Sequence, residues 1–180
     1  PRQEESAENQ HKTASVTGCG GGYNETGTGS TMTSKKCIDD FLAQKRIAVA
    51  GVSRHANDFT RLLFRAFTER GYDTVAVNPN AGDEIEGRPA FRSVRDVTPP
   101  ADAVLIATKA SATGAILADC AAAGVKRVWL YKATGRGAVS DGAAAFCAAN
   151  GIELVEGECP FMFFPNPGFH AIHGFLLKLV

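Results

Sequence analysis

Gly51-Val52-Ser53-Arg54 is a run whose residue types suit a phosphate. Gly51 lets a backbone approach closely, Ser53 adds a hydroxyl and Arg54 a cation, and a helix that begins just beyond would add free N–H groups and a dipole. The other reading is a tight turn with one solvated arginine. The position of the run, directly after an apolar strand, favours the phosphate. It is no dinucleotide fingerprint, because the two further glycines of G-x-G-x-x-G are missing, and no G-x-x-x-x-G-K-[ST] loop occurs. Val77-Asn78-Pro79-Asn80 is the second informative set. NAD-binding domains carry Asp or Glu at this point to hold the ribose 2'-OH, whereas a neutral amide tolerates a phosphorylated ribose. His55 could touch a phosphate or simply be a solvated loop residue. His170 and His173 lie three apart, and with Cys159 they could suggest a metal, but packing or a helix end is the stronger reading. Cys159, ahead of Pro160, reads as a buried thiol more than as a reactive one, since no base stands at a fixed spacing.

Regular elements must position these residues. Ile47-Ala48-Val49-Ala50 is an unbroken apolar run of the kind a strand buried on both faces shows. Phe59, Leu62, Leu63, Ala66 and Phe67 then fall on one helical stripe, Gly71 ends that helix, and Tyr72 to Val77 resumes the sheet. A short helix around Cys37 to Gln44 precedes the first strand. Ala81 to Pro100 reads as irregular, with turn residues and a helical turn near Ser93 to Val97. Ala103 to Ala107 is a third strand, Ser111 caps a helix ending at Gly124, and Arg127 to Tyr131 is a fourth. Ser140-Asp141 caps a helix that ends at Asn150-Gly151, Ile152 to Val155 is a fifth strand, and a last helix carries Ile172, Leu176 and Leu179. Phe161, Phe163, Phe164 and Phe169 read as an apolar cover over a sheet edge or as a dimer contact.

This alternation predicts an α/β fold: a doubly wound, Rossmann-like parallel sheet of about five strands, order 3-2-1-4-5, with helices on both faces. Ligands bind such sheets at the carboxyl ends of the strands, here in a crevice between the loops after the first and fourth. The domain is expected over residues 34–180. Residues 1–33 are rich in Gly, Thr, Ser, Glu and Asn and poor in large apolar side chains, so they read as a disordered extension, with ordinary composition beginning near Met32.

Composition narrows the function. With 180 residues, 44% hydrophobic and 21% charged, the chain suits one globular domain and shows no membrane span. Lys plus Arg and Asp plus Glu number 19 each, which gives no global bias toward nucleic acid or an anionic membrane, so an anion site must be local. Five scattered cysteines without a C-x-x-C pair argue against a disulfide framework or structural zinc and for a reduced cytoplasm.

From about Arg46 to Leu179 the chain resembles the stand-alone CoA-binding domain family, small Rossmann-like proteins related to the CoA-binding domain of succinyl-CoA synthetase alpha subunits and to ADP-forming acyl-CoA synthetases. The resemblance rests on Gly51-Val52-Ser53-Arg54, on Arg70-Gly71-Tyr72-Asp73 with Val77-Asn78-Pro79, and on Glu84-Ile85-Glu86-Gly87-Arg88-Pro89. It continues through Val128-Trp129-Leu130, Gly135 to Asp141, Phe146 to Ile152, Gly157 to Phe163 and the tail from Phe169 to Phe175. It implies a CoA ligand with its phosphates on Gly51, Val52, Ser53 and Arg54 and its adenosine end near Asn78 and Pro79. Thr108, Lys109, Leu130, Tyr131 and Lys132 would line the rest of the groove. Lys109-Ala110 departs from the proline or arginine-proline that relatives carry there. The function implied is a module holding CoA or an acyl-CoA without chemistry of its own, acting as regulator, carrier or partner of an acyl-CoA enzyme, or as a homodimer. The rival is an NAD(P)-dependent oxidoreductase on the same fold.

Overall fold

A computed structural model describes residues 34–132 and 135–164. The expected disordered extension, the last helix, His170, His173 and Phe169 lie outside the described residues. Seven strands form one sheet: β1 (Arg46–Ala50), β2 (Asp73–Val77), β3 (Glu84–Ile85), β4 (Arg88–Phe91), β5 (Ala103–Ile106), β6 (Arg127–Leu130) and β7 (Glu153–Glu156). Their order is β3-β4-β2-β1-β5-β6-β7, and every pairing is parallel except that of β3 with β4.

The α/β class is as expected, but the strand order is not. The third long apolar strand, Ala103–Ile106, pairs with β1 on the side away from β2, and the place beyond β2 is taken by β4. All four residues of β5 are buried, which suits the middle of a sheet. By contrast β4, Arg-Pro-Ala-Phe, is short, only part-buried and contains proline, so it carries no strand signature; Pro89 faces the two-residue β3, where its missing N–H matters little. The crevice consequently opens between the loops after β1 and β5, and the loop after β6, the fourth apolar strand, adds to its wall.

Alternating side chains of the same strands build two cores. Ala48, Ala50, Val104, Ile106, Val128 and Leu130 face Leu117 and Cys120 of α3 (Ala110–Ala122) and Ala143 and Cys147 of α4 (Ala143–Ala149). Ile47, Val49, Leu105 and Trp129 face Phe41 of α1 (Lys35–Leu42) and Leu63, Phe64 and Phe67 of α2 (Phe59–Thr68). Phe164 joins this second core edge-on to Phe67, with ring centroids 5.0 Å apart, and Phe163 sits 6.1 Å from Trp129. The aromatic run thus covers a face of the sheet. The buried indole N–H of Trp129 donates to the Glu158 carbonyl at 2.9 Å, so this core residue is satisfied.

Two helix starts differ from expectation. Lys109, not Ser111, is the N-cap of α3, and Gly142 caps α4 in place of Ser140-Asp141; neither has a capping side chain. Ser140 contributes its carbonyl instead, accepting from the Ala143 N–H at 3.2 Å. Cys37 is disulfide-bonded, whereas Cys120, Cys147 and Cys159 are free thiols. The absence of a C-x-x-C pair argues against a framework of bridges and not against a single one.

Candidate functional site

Backbone hydrogen bonds continue past the strand ends and hold four loops side by side. Gly51 N–H donates to Val77 O and Ala107 N–H to Ala50 O, both at 2.8 Å; Asn78 N–H donates to Phe91 O and Tyr131 N–H to Ile106 O, both at 2.9 Å. Gly51 has a φ of +97°, and a Cβ there would lie 2.7 Å from both the Ala107 carbonyl oxygen and the Thr108 Cγ2. Only glycine fits the point where the chain turns out of β1 against the neighbouring loop.

Over this point lies a cavity of about 670 Å³ lined by Gly51, Ser53, Asp58, Thr60, Asn78, Ala107, Thr108, Lys109, Ala110, Arg136 and Gly137. Five of the eleven residues expected from the sequence are therefore brought together: Gly51, Ser53, Asn78, Thr108 and Lys109. The other six are not on its wall. Val52 and Leu130 are fully buried core residues. Arg54, Pro79 and Lys132 are exposed outside the lining. Tyr131 stacks on Phe59 with ring centroids 5.2 Å apart, and burial pushes its phenol up to about 12.

The loop after β1 is organised mainly by its own side chains. Ser53 N–H donates to Thr60 Oγ1 at 2.8 Å, and Thr60 Oγ1 donates at 2.7 Å to the Asp58 carboxylate, which also caps α2 by accepting from Thr60 N–H at 2.8 Å. A side-chain oxygen at this cap is worth about 1 kcal/mol. The Thr60 hydroxyl and N–H together hold the Asp58 carboxyl below its ordinary range, against the opposing effect of burial. His55 N–H donates to Ser53 Oγ at 3.1 Å. Asn78 braces the loop from the end of β2: its Nδ2 donates to Val52 O at 2.8 Å and its Oδ1 accepts from Asn80 N–H at 2.9 Å.

The opposite wall is pinned from α3. The wholly buried Thr113 hydroxyl donates to Ala138 O at 2.6 Å, and Ala138 N–H donates to Tyr131 O at 2.9 Å, which fixes the backbone beside Gly137 and Arg136. Arg136 itself pairs with Asp141. The lining thus offers two cations, Lys109 and Arg136, and one carboxylate that is already hydrogen-bonded as a helix cap. Asp58, Thr60 and Arg136 escaped the sequence reading; the Asp-x-Thr pattern before an apolar helical stripe was the available signal for the first two.

The matched region now decides the family. A model of the CoA binding domain covers residues 45–165. The chain belongs to the CoA binding domain family. Among solved structures, a hypothetical protein from Pyrococcus horikoshii OT3 is similar at 23% identity and a TM-score of 0.64, covering 72% of this chain and 87% of its own. A conserved hypothetical protein from Pyrococcus furiosus is similar at 26% identity and a TM-score of 0.59, covering 67% and 99%. The dinucleotide-forming acetyl-coenzyme A synthetase 1 of Ca. Korarchaeum cryptofilum is similar at 20% identity and a TM-score of 0.56; the match spans 63% of this chain and 26% of the synthetase. No curated protein matches this CoA binding domain chain. Among its described residues no helix is long and apolar enough to cross a membrane, and no group of three or more His, Cys, Asp or Glu could hold a metal ion.

Proposed function

We propose that this chain holds CoA or an acyl-CoA in the cavity at the carboxyl ends of β1 and β5, as a binding module without chemistry of its own. The observation that carries the reading is the lining: a glycine turn, the hydroxyls of Ser53 and Thr108, and the cations Lys109 and Arg136 face one volume at the switch point of a CoA binding domain fold. Such donors fit a diphosphate. CoA would supply a thiol for carrying an acyl group; the chain's own part is to bind and orient.

The oxidoreductase reading is weaker. Its NAD form needs an acid at the end of β2, and Asn78 stands there with both ends of its amide engaged in bracing loops. Asp58, the acid that does line the cavity, is committed to α2 as its cap. A regulator, carrier or partner of an acyl-CoA enzyme follows naturally from a domain that binds and does not react, and a cytoplasmic setting agrees with such a ligand.

Native mass spectrometry of freshly purified protein, followed by calorimetric titration with CoA, NAD and NADP, tests this. CoA should bind far more tightly than either dinucleotide. Equal or tighter NAD binding overturns the assignment.

A further inference from the structure

The turn joining β3 to β4 contains the one described non-glycine residue with a positive φ, Glu86 at +53°. Gly87 follows at +68°, so the two residues form a hairpin loop whose central positions both take a positive φ, and a glutamate fills a place that glycine, asparagine or aspartate ordinarily takes. Strain of this kind persists where surrounding contacts impose it. Here the contacts are specific. Glu86 Oε1 accepts from Arg61 Nε and from Arg65 Nη1, each at 2.8 Å, from two successive turns of α2. Arg61, whose side chain is 13% exposed, donates its Nη1 to the carbonyl oxygen of Ser53 at 3.3 Å. The hydrogen bond from Arg61 is the main reason the Glu86 carboxyl lies below its ordinary range.

We propose that Glu86 is a positioning residue for the ligand loop, acting through Arg61 on the Ser53 carbonyl, and that a glutamate is kept at this left-handed position for its carboxylate. A free arginine at position 61 would explore several rotamers; the Glu86 carboxylate holds the guanidinium in the one orientation that reaches Ser53. Arg65 donates to the same carboxylate oxygen and adds a second anchor from the next turn of α2. The β3–β4 turn, which does not line the cavity, thereby sets the path of the backbone that does. The inference rests on the proposed ligand site for its consequence in binding and on hydrogen-bond geometry alone for its effect on the loop.

The decisive variant is Glu86→Gly, which relieves the positive φ while deleting the carboxylate. Melting temperature, hydrogen exchange at the Ser53 and His55 amides, and CoA affinity are read on the full chain. The expected pattern is an unchanged or raised melting temperature, exchange at those two amides faster by ten-fold or more, and CoA affinity weaker by at least five-fold. Glu86→Gln, which keeps an acceptor oxygen for Arg61, should fall between Gly and the parent in both loop exchange and affinity. Unchanged exchange at Ser53 and His55 in the glycine variant overturns the positioning role. So does faster exchange with undiminished CoA affinity. If the parent itself binds no CoA, the ligand assignment fails by that result, and the exchange comparison still decides whether Glu86 holds the loop.

Discussion

The side-chain amide of Asn78 donates a 2.8 Å hydrogen bond to the carbonyl oxygen of Val52, so the end of β2 supports the turn out of β1. Aspartate at this position would replace the donor with a carboxylate facing a carbonyl oxygen. Losing such a bond and leaving a part-buried acceptor unmatched costs about 1–3 kcal/mol. Asn78→Asp should therefore melt several degrees lower near neutral pH and bind CoA more weakly, with dephospho-CoA weakened to a similar extent because the damage is to the loop. The introduced acid has its folded-state value raised by the carbonyl, so its penalty shrinks as pH falls and the protonated group can donate again. Melting curves in neutral and mildly acid buffer check both signs; a loss confined to CoA with its ribose phosphate would show instead that Asn78 lies beside that phosphate.

Gly51→Ala should be among the more damaging single substitutions. The new Cβ would meet the Ala107 carbonyl and the Thr108 methyl at 2.7 Å, and the φ of +97° is one that alanine resists. Steric overlap and the positive φ together cost roughly 2–4 kcal/mol. Urea denaturation should show a lower midpoint with an unchanged slope, the mark of lost stability without a change in the surface exposed. A midpoint equal to that of the parent would mean that the two loops are not in contact.

The apolar strands and the α2 stripe were legible in the sequence because each is written in a local period: Ile47 to Ala50 without a break, Phe59 to Phe67 at helical spacing. Strand order was not, since β4 hides behind Arg88 and Pro89 and only its pairing with β2 reveals it. The same limit governs the site. Gly51, Ser53, Asn78, Thr108 and Lys109 follow strand ends directly, so a strand assignment places them. Arg54 follows a strand too, yet the loop turns it outward, and Arg136 reaches the cavity only because Thr113 anchors the Ala138 carbonyl from another element. Neither orientation is a property of spacing.

Lys109 and Arg136 should matter more for an anionic ligand than Arg54 does, because they line the cavity and Arg54 does not. A charge-assisted hydrogen bond is worth about 1.5–3 kcal/mol, so Lys109→Ala or Arg136→Ala should each weaken CoA by roughly ten-fold or more, with Arg54→Ala costing much less. Added salt should narrow the gap by screening. Calorimetry on the three variants decides the order; a dominant Arg54 would move the phosphates out of the cavity and onto the outer face of the loop.

The free thiols should be inert in the native state to unequal degrees. Burial pushes Cys120 and Cys147 up to about 12, leaving almost no thiolate in ordinary buffers, while half-buried Cys159 is raised less. Alkylation of folded protein followed by mass analysis should find Cys159 modified slowly and Cys120 and Cys147 only after denaturant is added. Rapid labelling of Cys120 without denaturant would show that α3 opens from the sheet far more often than its packing implies.

Thr60 is the hinge of the loop's internal network, accepting from Ser53 N–H and donating to Asp58 through one hydroxyl. Valine has nearly the same shape and no hydroxyl, so Thr60→Val removes both bonds with little change in volume. The Asp58 carboxyl, held below its ordinary 3.8 chiefly by Thr60, should rise toward that value in the variant. The sign of the stability effect follows. A depressed carboxyl contributes fully above its unfolded value and loses that contribution as pH falls through the folded one. The parent's acid limb should therefore contain an Asp58 component that the variant largely lacks. NMR titration of the Asp58 side chain measures the shift, and acid unfolding of the two proteins measures its consequence. CoA affinity should fall a few-fold as the Ser53 N–H loses its partner and the loop spreads. If Asp58 titrates identically in both proteins, the cap is held by the backbone N–H alone, and the hydroxyl does not link the helix to the loop.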